Sequence, residues 1–293
     1  MSTLAYEIVD VFTDRPFAGN PLAVVYGADD LGSDQMHALA REFNLSETVF
    51  VLPPTRPDAT YRARIFTPEH ELPFAGHPSV GAAVTTMRRG AFKPGTVVQE
   101  CGAGLLPIEV REAGSATLTG ATPTLGSPLD PAGLLAMAGL ETSAYAGDEL
   151  AAPRPAGCGL SWVFLPVRRE HLAAVRIDNA AAERLGVTDI CLFAWSPETR
   201  EAHSRVFVPG SAVAEDPATG SAALGLGVWL VAAGWLPADG VSGYRIHQGI
   251  EMKRPSLLDC TVTAADGRAV SATVAGHVCP IARGEIAVPP FVG

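Results

Sequence analysis

The string Arg64-Ile-Phe66-Thr-Pro68 returns 141 residues later as Arg205-Val-Phe207-Val-Pro209. Beyond each copy stands a second matched pair, Pro78-Ser79-Val80-Gly81-Ala-Ala and Pro217-Ala-Thr219-Gly220-Ser221-Ala, offset by 139. Each half therefore predicts an extended strand, a loop, a dipeptide ending in Pro, and a helix of small residues. A weaker echo sets Leu45-Ser46…Val49-Phe50 against Leu160-Ser161…Val163-Phe164. Solenoid units run to roughly 20–50 residues, so a repeat of this period marks duplicated domains instead. Two such halves are expected to meet at a cleft, where small-molecule sites concentrate.

Outward from the repeat, short β-branched and aromatic runs bounded by turn residues recur. They predict strands at 6–12, 23–26, 48–52, 61–66, 96–100, 160–165, 190–195, 203–208, 243–247 and 269–274. Helices are fewer: one capped by Ser33 and running to about Phe43, one opened by Pro78 and running to about Arg89, a short one opened by Pro131, and a long one from Pro217 to about Ala233. Isolated helices among many strands, without strict strand–helix alternation, predict an α+β fold and not a doubly wound sheet. The Gly/Thr/Pro-rich stretch 119–131 is the candidate linker, dividing an N-terminal half, 1–118, from a C-terminal half, 119–293. The last strand of the second half has room to return to the first.

With 293 residues, 47% hydrophobic and 18% charged, the chain has ample material for a core. Its net charge of −10 repels phosphate backbones and anionic lipid, so neither nucleic acid nor a membrane is an expected partner. Cys101, Cys158, Cys191, Cys260 and Cys279 form no C-x-x-C pair, as suits thiols in a reducing compartment. No basic-then-apolar leader opens the chain, and the apolar run 222–235 is short for a bilayer span. The expectation is a soluble, cytoplasmic protein.

In each half the Pro sits where a helix begins, which makes His77 and Asp216 the expected N-caps, after Gly76 and Glu215. Helix N-termini bind anions through free N–H groups and the dipole, and the small residues Ser79, Gly81, Thr219, Gly220 and Ser221 let a ligand approach. His77 is expected to be neutral there. In Asn44-Leu-Ser46-Glu47-Thr48, a carboxylate precedes an apolar strand, a place from which it can take and return a proton. No phosphate loop, full dinucleotide fingerprint, zinc helix or nucleophile elbow occurs, so no cofactor and no metal are expected. Trp162, Trp195, Trp229 and Trp235 fall inside apolar runs and read as core.

Together, Asn20-Pro21, Asn44-Leu-Ser46-Glu47-Thr, Arg64-x-Phe-Thr-Pro, Glu71-Leu-Pro-Phe-Ala-Gly76-His77-Pro78 and Glu215-Asp216-Pro-Ala-Thr-Gly220-Ser221-Ala resemble the PhzF family of phenazine-biosynthesis-like isomerases. The opening run from Val9 and the late Gln248-Gly…Arg254-Pro-Ser256 extend the resemblance over nearly the whole chain. One departure is Lys253, where the family usually has Gly. The resemblance implies the diaminopimelate-epimerase-like fold, two similar halves that each wrap a curved, mostly antiparallel sheet around a central helix, and cofactor-free isomerisation of a small cyclic or amino carboxylate. It assigns catalysis to Glu47, His77, Asp216 and Ser221, and substrate binding to Asn20, Ser46, Gly76, Pro78, Ser79 and Gly220. A homodimer is in keeping with it. The alternatives are an amino- or hydroxy-acid epimerase or racemase on the same fold, and a non-catalytic small-molecule-binding protein. None of the five Cys lies in either helix-start motif, which disfavours a two-thiol racemase.

Overall fold

The computed structural model describes residues 2–211 and 213–290. The chain divides into two compact units, Met1–Thr119 with Ala275–Gly293, and Gly120–Val274. The segment from Ala275 on, grouped by sequence with the second half, thus falls to the first unit.

In the first unit, β1 (Thr3–Val11) pairs antiparallel with β2 (Asn20–Tyr26). Helix α1 (Ser33–Phe43) then carries the chain over to β3 (Thr48–Leu52), parallel to β2 with Ala23 opposite Thr48. Parallel neighbours need such a crossover. The helix buries Met36, Leu39 and Ala40, and it ends at Asn44, whose left-handed φ of 50° is one that Asn tolerates. Its N-cap is Gly32, one residue ahead of the expected Ser33. β4 (Tyr61–Phe66) and the two-residue β5 (Glu71–Leu72) follow antiparallel. After α2 (Gly76–Arg88) come β6 (Gly95–Cys101), β7 (Gly104–Arg111) and β8 (Ser115–Thr119). β6 lies parallel to β4, and the last two strands continue as a meander.

The second unit opens with β9 (Thr124–Leu125) and α3 (Pro131–Met137), capped by the Asp130 carboxylate. The path then repeats that of the first unit: β10 (Arg154–Gly157), β11 (Ser161–Pro166), α4 (Asn179–Leu185), and β12 (Ile190–Ser196) parallel to β11. β13 (Glu201–Phe207), the short β14 (Glu215–Asp216), α5 (Gly220–Ala232), β15 (Gly240–Gln248) and β16 (Ser256–Ala265) follow. β15 is parallel to β13, as β6 is to β4. β17 (Arg268–Ala287) starts in this unit and ends in the first, where it pairs antiparallel with β1 from Thr3↔Ala287 to Val11↔Val278. Order and strand sense thus match, element for element, from β1 to β7 and from β10 to β16.

Each unit wraps its strands around one helix. Residues 76–86 of α2 are buried, as are residues 220–231 of α5. Gly81 and Gly225 sit at equal depth in the two helices, and both stand where the backbone is pressed against strands. A Cβ on Gly81 would lie 2.9 Å from a Val11 methyl, and one on Gly225 would lie 2.8 Å from the Ala156 carbonyl. Only Gly lets the helix come that close. Among the described residues no helix is long and apolar enough to cross a membrane.

The repeated strings have a physical basis in these strands. Phe66 pairs with Glu71, and Phe207 pairs with Glu215. Arg64 grips Glu71 through Nε (2.7 Å) and Nη2 (2.6 Å), and Arg205 grips Glu215 through the same two atoms, both at 2.8 Å. Each guanidinium also lies over the following Phe ring, at 5.1 Å and 4.9 Å. This Arg–Glu fork fixes the short strand that delivers the buried helix. The structure also corrects the alignment of the halves. Glu71 precedes Gly76 by five residues, as Glu215 precedes Gly220, so Pro73, and not Pro78, is the counterpart of Pro217. His77 then corresponds to Ser221, and Asp216 to Leu72. The weaker echo is not structural, because Phe50 lies in β3 whereas Phe164 lies in β11, the counterpart of β2.

Candidate active site

His77 is the second residue of α2, inside its first turn, and the N-cap is Ala75. The sequence expectation of a His77 cap is therefore corrected: Pro78 follows within the same turn, where its missing N–H costs nothing. His77 is 5% exposed and lies among elements that meet at its ring. Asn20, at the start of β2, places Nδ2 3.2 Å from His77 Nδ1. Ser46 donates its hydroxyl to Asn20 Oδ1 at 3.3 Å, which orients the amide. Asn20 Nδ2 can only donate, so Nδ1 accepts and the proton of the neutral ring sits on Nε2. That nitrogen faces Glu47 Oε2 at 3.5 Å. Burial pushes the His77 pKa down to about 3, so the ring is neutral at physiological pH. Removal from water is the cause.

Glu47 stands in the turn between Asn44, which ends α1, and Thr48, which starts β3. Its side chain is 17% exposed. The chain Ser46–Asn20–His77–Glu47 thus joins residues from three places in the first unit: the turn before β3, the start of β2 and the first turn of α2. The other helix-start residues divide by what they touch. Gly76 and Pro78 are buried in the first turn of α2. Ser79 is fully buried, and its hydroxyl donates to the Ala75 carbonyl (2.8 Å) and accepts from Gln99 Nε2 (2.9 Å). Gln99 in turn accepts from the Tyr61 hydroxyl at 2.9 Å. Ser79 therefore braces the helix start.

In the second unit, Asp216 is the last residue of β14, and the N-cap of α5 is Thr219. The Asp216 cap is the second correction. Its carboxylate accepts from the Thr219 hydroxyl, while its carbonyl accepts from Gln248 Nε2 at 2.7 Å. Gln248 also donates to Thr219 Oγ1 (3.0 Å) and accepts from the Thr219 N–H (3.2 Å). Ser256 completes the clamp by donating to the Pro217 carbonyl at 2.8 Å. Ser221, on the first turn of α5 beside Gly220, accepts from Trp162 Nε1 at 3.1 Å. Among the described residues no group of three or more His, Cys, Asp or Glu is arranged to hold a metal.

Against known proteins, the profile of phenazine biosynthesis-like proteins matches residues 9–284. The chain belongs to the phenazine biosynthesis-like, or PhzF, family. It is 39% identical to an uncharacterized isomerase of Mesorhizobium japonicum, over 98% of this chain and 99% of that protein. It is 34% identical to the trans-2,3-dihydro-3-hydroxyanthranilate isomerase of Pseudomonas aeruginosa, over 96% of this chain and 98% of the other. A PhzF-family phenazine biosynthesis protein of Bacillus anthracis has a similar structure, with a TM-score of 0.86 at 25% identity, covering 98% of this chain and 100% of that one. The diaminopimelate-epimerase-like α+β fold and membership of an isomerase family are thereby established.

The PhzF motifs gain physical meaning from the geometry. Gln248-Gly…Arg254-Pro-Ser256 brackets the loop whose two ends clamp residues 216–219. Lys253, in place of the usual Gly, has a left-handed φ of 59° and donates its N–H to the Ile250 carbonyl. The loop keeps its turn, and Lys carries the strain that Gly avoids. No sequence signal joins Gln99 or Trp162 to the site, and Thr219, read from sequence as a small residue that lets a ligand approach, is the N-cap of α5. Gln99 and Ser79 are twenty residues apart on different elements, so no spacing rule joins them.

Proposed function

We propose that the protein is a cofactor-independent isomerase in which Glu47 moves a proton within a small carboxylate. The observation that carries this reading is the half-buried Glu47 carboxylate facing the Nε2–H of a His77 that burial keeps neutral at physiological pH, at 3.5 Å. Glu47 takes a proton from a carbon next to an unsaturated system, and the electron pair freed from the C–H bond shifts the double bond. The same carboxylic acid then returns the proton to another carbon on the same face, which restores Glu47 and leaves the atom count unchanged. His77 donates to the carboxylate or to a developing oxyanion, and its own proton stays on Nε2. Free N–H groups at the start of α2 bind the substrate carboxylate. The trans-2,3-dihydro-3-hydroxyanthranilate isomerase among the relatives supports a cyclic amino carboxylate as the substrate class.

Glu47→Gln keeps size and hydrogen-bonding shape but cannot carry the proton. Acid/base catalysis is worth ~10²–10⁴-fold, so the variant should lose at least about that factor in kcat with little change in KM. Asp216→Asn is expected to lower kcat/KM by about tenfold, a loss comparable to one charge-assisted hydrogen bond. A Glu47→Gln variant that turns over trans-2,3-dihydro-3-hydroxyanthranilate, or another cyclic amino carboxylate, at the parent rate would refute the proposal.

A further inference from the structure

Two of the four tryptophans depart from the core role that their apolar surroundings predict. Trp162 and Trp229 are buried, but Trp195 and Trp235 are only half-buried and line a cavity of about 850 Å³ within the second unit. This volume is in the range of small-molecule sites. Phe193 forms part of the wall, and Arg168, Arg169 and His203 supply its polar groups. No Asp or Glu lines it, although the chain as a whole carries a net charge of −10. The lining thus sets two guanidiniums beside aromatic walls in an acidic protein, with Glu251 near Arg169 but outside the lining.

The walls are held in place. Trp235 meets Phe193 edge-on at 6.1 Å and Trp229 at 5.1 Å, which locks the indole against the buried end of the aromatic cluster. His203 stacks on His247 at 4.7 Å. Arg168 is anchored by its backbone N–H to the Ala144 carbonyl (2.8 Å) and by Nε to the Ser143 carbonyl (2.9 Å). That anchoring leaves its two Nη groups for an anion. Among the described residues neither Arg168 nor Arg169 is in an ion pair at salt-bridge distance, unlike Arg205 in the same unit. A planar apolar ring suits the indole walls, and a carboxylate suits the guanidinium fork.

The geometry points to this cavity as a binding site for a small aromatic carboxylate, built from residues other than Glu47 and His77. Titration of the ¹⁵N-labelled protein with 2-naphthoate tests it, read from the indole N–H resonances. Saturable shifts of Trp195 and Trp235 are expected, with binding about tenfold or more weaker for neutral 2-naphthamide, which lacks the charge. The double variant Arg168→Gln/Arg169→Gln changes two exposed side chains, so it should keep a native spectrum and lose affinity by about tenfold or more. Glu47→Gln should bind as the parent does, which separates this site from the proposed active site. No saturable shift, equal affinity for the amide, unchanged affinity in the double variant, or binding lost in Glu47→Gln would each overturn the assignment.

Discussion

Replacing His77 by Asn should flatten the acid side of the protein's pH–stability profile. Asn Oδ1 can accept the Asn20 hydrogen bond where Nδ1 does now, but the side chain has no proton to gain. In the parent, burial lowers the His77 pKa from 6.5 to about 3. The unfolded chain therefore binds a proton below pH 6.5 that the folded chain refuses until about pH 3. The contribution of this residue is fully present above the unfolded pKa and is lost as pH falls toward the folded one. In that window the slope is about 1.4 kcal/mol per pH unit, and at pH 5 the loss reaches about 2 kcal/mol. Urea unfolding at about pH 7.5 and pH 5 measures it in both proteins. The parent should lose about 2 kcal/mol more than His77→Asn between the two conditions. Parallel profiles would refute the buried neutral ring. A parent that instead gained stability relative to the variant on acidification would mean that Glu47 holds His77 as an imidazolium.

The two Arg–Glu forks should differ in worth despite their common geometry. Arg205 and Glu215 are 7% and 19% exposed, against 22% and 40% for Arg64 and Glu71. In urea titrations Arg205→Ala should cost about 3 kcal/mol or more, because it strands a largely buried carboxylate and frees the carbonyls of Leu172 and Val175. Arg64→Ala should cost about 1 kcal/mol or less. Lys253→Gly should raise stability by about 0.5–1 kcal/mol, since relief of the left-handed backbone exceeds the added chain entropy of Gly.

The duplication was legible because it is written in local strings. Strong side-chain preferences at Arg64–Phe66 and Arg205–Phe207 mark the strands, and β3 and β4 occupy the predicted ranges 48–52 and 61–66. The register between the halves was not legible. Three residues more in the loop after Pro209 than in the loop after Pro68 shift the helix start, and two Pro residues per motif offer a false match. β7 was hidden by Pro107 and two glycines near its ends, and α4 by having only Ala182 buried, too little for an amphipathic pattern. The candidate site divides in the same way. Glu47, His77 and Asp216 are nominated by family motifs, whereas the hydrogen bond of Asn20 to His77 spans 57 residues and follows only from the packing of α2 against β2. Caps placed at His77 and Asp216 fail because a Pro after a residue does not prove that the helix starts there. Pro fits any position of the first turn.

The most direct measurement follows the proton itself. A cyclic amino carboxylate substrate, deuterated at the carbon that Glu47 is proposed to deprotonate, is incubated in ordinary water with parent and Glu47→Gln protein, and label is read by mass spectrometry. With the parent, product should form with part of the deuterium carried to its new carbon, because one carboxylic acid both takes and returns it. With Glu47→Gln, the substrate should keep its label and no product should form. Label lost from the substrate at the parent rate in Glu47→Gln would show that another group lifts the proton, and would contradict the account at its centre.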